Sequence, residues 1–310
     1  MSYPDFFNAK NSIKLFGLND ELNFLSSLYE QNKLPRVILF SGIKGLGKST
    51  LINHFLFSIF DEKYDKNNMS IGTSSKFYNQ FKENIFSNII YVSGSDFLSI
   101  KIDDIRNLKI KIFQSSIMKK DRFIIFDDVE LFNINSLNAL LKIIEEPNKN
   151  NYFFLINNKS KTLLDTIKSR SLEIKIFLNE KKRVDIIESL IESFKLDLAL
   201  DPKKSRLSPG NFVKFNQIFL ENDLKIEGNF MDSLTKVLNL HKKSKDILFV
   251  NLAFFLVDHY LIKLKNGKIF NNEKIYEIKN FIFYYLNNLF KYNLNLTSFL
   301  NQIENKLSHE

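Results

Sequence analysis

Apolar residues in the first half of the chain come in short, dense runs. Arg36–Phe40, Asn88–Val92, Phe123–Phe126, Tyr152–Ile156 and Leu172–Phe177 are rich in β-branched and aromatic residues on both alternating faces. That is the pattern of strands covered on both sides of a parallel sheet. Between the runs the apolar period changes. Ser49–Phe60 follows a Gly-rich turn, Asp103–Phe113 carries Ile105, Leu108, Ile112 and Phe113, and Ser136–Ile144 carries Leu137, Leu140, Leu141 and Ile144. Spacings of three and four align such residues along one helix face. Strands alternating with helices predict a three-layer α/β domain. Residues 61–87 are polar and predict a long, mobile insertion between a helix and the next strand.

After residue 178 the strand signals stop. Asn179–Leu200 reads as an amphipathic helix through Val184, Ile186, Ile187, Leu190 and Ile191. Pro202 and Pro209 mark Asp201–Gly210 as a break or a helix start. Residues 226–310 read as all-helical, with breaks near Gly228 and Asn266-Gly267. The longest apolar stretch, Ile247–Ile262, contains Asn251, Asp258 and His259. It predicts a buried helix, too short and too polar to span a bilayer.

Composition narrows the function classes. The 310 residues suffice for about two domains. A net charge of +9 suits an anionic partner such as nucleotide or nucleic acid. A/T-rich codon usage competes as an explanation, because only six of the 44 basic residues are Arg and Lys, Asn, Ile, Phe and Tyr are all abundant. With no cysteine, disulfides, thiolate zinc sites, iron–sulfur clusters and a Cys nucleophile are excluded. His54, His241, His259 and His309 offer no ligand pair at helical spacing. The first ten residues have no apolar signal-peptide core. The expectation is a cytoplasmic protein with no membrane partner.

Gly42-Ile-Lys-Gly45-Leu-Gly47-Lys48-Ser49 fits G-x-x-x-x-G-K-S, with an apolar run before it and a helical pattern after it. Glycines let consecutive backbone N–H groups face one point, and the following helix adds its positive end. Lys48 supplies a mobile cation for β- and γ-phosphates and Ser49 a hydroxyl for Mg²⁺. Thr50 completes the start of the helix. Phe123–Phe126 runs into Asp127 and Asp128. In a phosphate-loop protein the first carboxylate, Asp127, can hold Mg²⁺ and the second can polarise the attacking water. Asp128 is one methylene shorter than the Glu of efficient examples, which bears on hydrolysis and not on binding. The expected cofactors are ATP and Mg²⁺, held by Gly42, Gly45, Gly47, Lys48, Ser49, Thr50 and Asp127.

Three further stretches are more specific: Asn138-Ala-Leu-Leu-Lys-Ile-Ile-Glu-Glu-Pro147, the pair Asn157-Asn158, and Leu163-Leu-Asp-Thr-Ile-Lys-Ser-Arg170-Ser171. The series resembles the AAA+ clamp-loader ATPases of DNA replication, strongly over about residues 14–178 and weakly beyond. The resemblance implies an AAA+ P-loop core over 1–177, a helical lid over 178–225 and an all-α collar for oligomerisation over 226–310. It implies a hetero-pentamer with gamma/tau-type and delta-type subunits that loads a sliding clamp onto primed DNA. Arg170 matches the finger that enters a neighbour's ATP site, and Asn157 or Asn158 matches the polar sensor of the γ-phosphate. Arg106 is a candidate for the DNA backbone. Ser171 replaces the usual Cys, and Asn211 in Ser208-Pro-Gly-Asn211 stands where the lid often has Arg. These departures imply a stator that lends a finger and hydrolyses poorly. A self-sufficient AAA+ ATPase, of helicase-loader or initiator type, and a scaffold with a relic P-loop are the other readings.

Overall fold

β1 (Val37–Ser41) is buried at every position, because both of its faces are covered. The computed structural model describes residues 7–93, 121–145, 150–267 and 270–308. β1 lies in a five-stranded sheet with β2 (Ile89–Ser93), β3 (Arg122–Asp127), β4 (Asn151–Asn157) and β5 (Leu172–Lys175), in the order β2-β3-β4-β1-β5. Every pairing is parallel. Ser41 stands beside Asn157 and Ser93 beside Asp127, so the chemistry-bearing residues collect at the carboxyl ends of the strands. That is where open α/β sheets bind ligands. The α/β, parallel, P-loop architecture expected from the strand pattern is therefore present.

On one face of the sheet, Ile38, Phe40, Phe123, Ile125, Phe154 and Ile156 pack with α1 (Asn19–Glu30) and α2 (Lys48–Phe60). On the other, Leu39, Ile124, Phe126, Phe153 and Leu155 pack with α4 (Ile134–Glu145). Fully buried side chains such as Phe55 and Leu140 each contribute roughly 1.5–3 kcal/mol relative to exposure. β5 is shorter than Leu172–Phe177. It pairs with β1 alone, as an edge, and leaves Leu172 and Phe177 exposed. The expected helix over Asp103–Phe113, with Arg106, lies outside the described residues, as do Glu146 and Pro147.

Residues 61–87 are not an open insertion. Their described course includes α3 (Lys76–Lys82), capped by Ser75, whose Oγ accepts the Tyr78 N–H and donates to Asp61 Oδ2 at 2.6 Å. Phe77 and Phe81 pack on Phe57 with ring centroids 4.8 and 5.0 Å away, and Phe86 packs on Phe60 at 5.0 Å. A few aromatic residues suffice to anchor the segment, while its Asn and Lys side chains dilute the apolar signal along the sequence. Inside α2, His54 is fully buried. Its Nδ1 accepts from Tyr64 Oη at 3.1 Å and its Nε2 donates to Ser12 O at 3.0 Å, the roles a neutral ring can fill. Burial pushes its pKa down to about 4, against the opposing pull of the Ser12 carbonyl.

The chain divides into two compact units, one of residues 1–195 with 207–213 and the other of 196–206 with 214–310. The first also holds α5 (Asp165–Lys168), α6 (Glu180–Phe194) and the start of α7 (Pro209–Glu221). The second continues α7 and adds α8 (Phe230–Ser244), α9 (Ile247–Asn266), α10 (Asn272–Tyr292) and α11 (Leu296–Ser308). Asparagine and aspartate set its helix starts: Asn229, Asp246 and Asn271 each accept N–H groups of the first turn. α9 is longer than the apolar stretch suggests. At 20 residues, with an 18-residue window of mean hydropathy 1.7, it is long and apolar enough to cross a membrane by length and composition alone. Its Leu252, Ala253, Leu256 and Val257 are buried in the bundle that it forms with α8 and α10.

Candidate functional site

β1 delivers the chain into Gly42–Ser49 at the edge of its apolar run, and α2 begins at Lys48. The three loop glycines have different reasons. A Cβ on Gly42 would lie 2.6 Å from the Ile176 carbonyl oxygen, while Gly45 and Gly47 take φ of +87° and +89°. Those left-handed angles are open to glycine at little cost. The loop also touches residues far along the chain. Ser208 Oγ donates to Lys44 O at 2.7 Å and Gly210 N–H to Gly45 O at 2.8 Å. A Cβ on Gly45 would collide with Ser208 Oγ and meet the Asn211 backbone nitrogen at 2.9 Å. Buried Arg183 supports this contact by donating to Leu207 O at 2.9 Å and pairing with Glu180.

Lys48 is 3% exposed, and its Nζ donates to the carbonyls of Gly42 at 2.6 Å and Ile43 at 2.8 Å. Burial lowers its pKa to about 8, despite the opposing influence of Asp127, Glu130 and Asp128. Ser49 Oγ donates to Asp127 Oδ2 at 3.1 Å. Hydroxyl and carboxylate together form a hard oxygen pair that would suit Mg²⁺. Thr50 lies half-buried in the first turn of α2.

The acids at the end of β3 are densely bonded. Asp127 accepts from the Asp128 N–H at 2.8 Å and from the Tyr91 hydroxyl. Burial, then the Asp127 charge, pushes the Tyr91 phenol above its ordinary pKa and keeps it a donor. Asp128 adopts φ 50° and ψ 42°, which turns it off the strand direction. Its carboxylate accepts from Asn158 Nδ2 at 2.6 Å and lies 3.3 Å from Lys44 Nζ.

The two asparagines separate in space. Asn158 reaches Asp128, and Asp127 at 3.4 Å. Asn157 is buried, with Oδ1 accepting the Lys159 N–H at 2.8 Å and its carbonyl accepting Gly42 N–H at 3.2 Å. Arg170 follows α5 and is 40% exposed. Its Nε donates to Glu145 Oε1 at 2.8 Å and its Nη1 to Thr166 O at 3.1 Å. The fold thus joins Ser49, Asp127, Asp128 and Asn158 in one bonded cluster, sets Lys48 on the carbonyls of its own loop, and gives Arg170 its partners elsewhere.

Reading the sequence missed three members of this neighbourhood. Tyr91 sits in the middle of β2, in an unremarkable apolar run. Lys44 occupies a variable position of the phosphate loop. Glu130 is 5% exposed, and its Oε1 accepts Asn158 N–H at 3.0 Å, Ser160 N–H at 3.3 Å and Ser160 Oγ at 2.8 Å. It ties the loop after β4 to the loop after β3. Only its place three positions beyond Asp127 could have drawn notice.

A family model described as "DNA polymerase III, delta subunit" matches residues 17–179, just over half of the chain. The chain is 27% identical over 173 residues to the DNA polymerase III subunit delta' of Buchnera aphidicola subsp. Acyrthosiphon pisum, covering 52% of this chain and 49% of that protein. It is 23% identical over 186 residues to the DNA polymerase III subunit gamma of Buchnera aphidicola subsp. Schizaphis graminum, covering 58% and 48%. The matches span about half the length of these curated relatives. A solved gamma subunit-related protein of DNA polymerase III from Thermotoga maritima aligns with a TM-score of 0.47 at 19% identity, over 93% of this chain and 100% of that one.

Proposed function

The chain belongs to the DNA polymerase III, delta subunit family, and on that premise we propose that it is a delta prime-type subunit of a replicative clamp loader. In this reading it binds ATP with Mg²⁺ through Gly42, Gly45, Gly47, Lys48, Ser49, Thr50 and Asp127. Asn158 senses the terminal phosphate. Arg170 serves a neighbouring subunit's nucleotide in trans, where such a finger can be worth about 10³–10⁵ in rate. Residues 178–225 act as the lid and 226–310 as the collar that joins gamma/tau-type and delta-type subunits in a cytoplasmic pentamer. The pentamer places a sliding clamp on primed DNA.

The single observation that carries the nucleotide reading is the phosphate loop at the carboxyl end of the sheet, where Lys48 is buried on the Gly42 and Ile43 carbonyls and Ser49 joins Asp127 and Asn158 in a bonded cluster. A relic loop would have no reason to keep a buried lysine beside two carboxylates. Own hydrolysis is expected to be negligible. Asp128 is short, its lone pairs face Lys44 and Asn158, and Asn211 stands where a lid arginine would touch the nucleotide. This favours the stator over the self-sufficient ATPase.

Isothermal titration of the isolated chain tests the reading. Expected are a saturable Mg²⁺·ATP isotherm and no measurable turnover. Absence of heat at millimolar ATP makes the loop a relic, and robust steady-state hydrolysis by the chain alone makes it a motor.

A further inference from the structure

Lys44 Nζ lies 3.3 Å from Asp128 Oδ2 and 3.5 Å from Oδ1. The lysine is about half exposed and the aspartate nearly buried, with side-chain exposures of 48% and 8%. Asn158 Nδ2 occupies Asp128 Oδ1 at 2.6 Å. Both oxygens of the second acid are therefore engaged by donors, one of them cationic, which makes the carboxylate a weaker base toward water. The other loop lysine is likewise held by protein, on the Gly42 and Ile43 carbonyls.

The ion pair has a defined position in the loop. Asp128 directly follows Asp127, and Asp127 Oδ2 accepts from Ser49 Oγ, the hydroxyl suited to Mg²⁺. Lys44 Nζ thus lies beside the acid that adjoins the Ser49–Asp127 pair, on the side of the loop where a bound Mg²⁺ and a terminal phosphate would be held. The Lys44 backbone is pinned there, because its carbonyl accepts from Ser208 Oγ. Only the flexible four-carbon stem needs to move. A half-exposed lysine–carboxylate pair is weakly held, and a phosphate group offers more negative charge and more acceptor oxygens than one carboxylate.

We propose that Lys44 is a specificity-determining residue that distinguishes a nucleoside triphosphate from a diphosphate. This inference rests on the nucleotide reading above. Without a terminal phosphate, Lys44 stays on Asp128. With one, its ammonium transfers to the γ-phosphate oxygens and leaves Asp128. A diphosphate ends short of this point and leaves the pair intact.

The test is calorimetric titration of the full chain with Mg²⁺·ATP and Mg²⁺·ADP, for the parent, Lys44→Met, Lys44→Arg, Asp128→Asn and the Lys44→Met/Asp128→Asn double variant. Thermal melting of each variant serves as the folding control. In Lys44→Met, ATP affinity is expected to fall about tenfold while ADP affinity stays within twofold. Lys44→Arg keeps the preference for ATP. Asp128→Asn frees the lysine and tightens ATP binding, and that gain disappears in the double variant. An equal loss for ATP and ADP in Lys44→Met, or no change in either, overturns the inference while leaving the nucleotide site standing. Should the parent bind neither nucleotide, the nucleotide reading fails and this one with it.

Discussion

Lys48 and His54 lie on the same helix, both buried, and burial lowers the pKa of both. They nevertheless end in different states. His54 is satisfied on both ring nitrogens by Tyr64 and Ser12, so nothing is left over for chemistry. Lys48 rests on two carbonyls of its own loop, facing carboxylates across the site. In the proposed nucleotide reading those carbonyls are exchanged for phosphate oxygens. Burial of a titratable group thus does not by itself mark function. What marks it is whether its partners are permanent or replaceable. On that reading the carboxyl end of the sheet is built of replaceable partners: Lys44 on Asp128, Ser49 on Asp127, Asn158 between the two acids. The body of α2 is built of permanent ones.

The largest effect that would break this contrast comes from Lys48→Ala. It should abolish Mg²⁺·ATP binding in a calorimetric titration while leaving the melting temperature near that of the parent. His54→Gln should leave ATP affinity unchanged. Loss of nucleotide binding in the His54 variant would show that the two regions are not independent.

The second test is on stability against pH. His54 has a folded pKa of about 4 against about 6.5 when unfolded. A depressed folded pKa means that the unfolded chain takes up the proton first. Stability is therefore lost as pH falls from about 6.5 toward 4, by on the order of 3 kcal/mol. Urea unfolding at pH 7 and pH 4.5 should show this loss in the parent and a smaller one in His54→Gln. Equal losses in the two would remove His54 as the source.

A third, smaller effect concerns the exposed Arg170–Glu145 pair, which belongs to neither category. Arg170→Ala should leave ATP binding by the isolated chain unchanged. In a complex reconstituted with gamma/tau-type and delta-type subunits, it should slow DNA-dependent ATP hydrolysis and clamp loading at least tenfold. Arg170→Lys should rescue little, because a point charge lacks the forked donors. Loading at the parent rate would end the finger assignment.

The smallest effect sharpens the Lys48 side. A phosphate beside Nζ favours the ammonium form, so the bound pKa rises above the free value of about 8. ATP binding should take up protons near pH 8, with affinity falling about twofold between pH 7 and pH 8. Titrations in buffers of different ionisation enthalpy measure the uptake directly. Binding heats independent of buffer would place the Lys48 proton outside the equilibrium.

The phosphate loop, the acid pair after β3 and the alternation of strands and helices could all be read from the sequence, because each depends on neighbours a few positions away. Glycine at positions needing a left-handed turn, a lysine and a hydroxyl at the start of α2, and an apolar run ending in carboxylates are local requirements, written contiguously. Tertiary structure decided the rest. Phe77 and Phe81 turned a polar-looking stretch into a packed helix because Phe57 was waiting across the fold. Tyr91, Glu130 and Lys44 joined the site only through partners 36, 28 to 30 and 84 residues away. Asn158 was separated from Asn157 by the direction in which the chain leaves β4. Hydrogen bonds and ion pairs act over a few ångströms of space whatever the separation along the chain. Which residues come that close depends on strand order and register, and these emerge only when the whole core is buried at once.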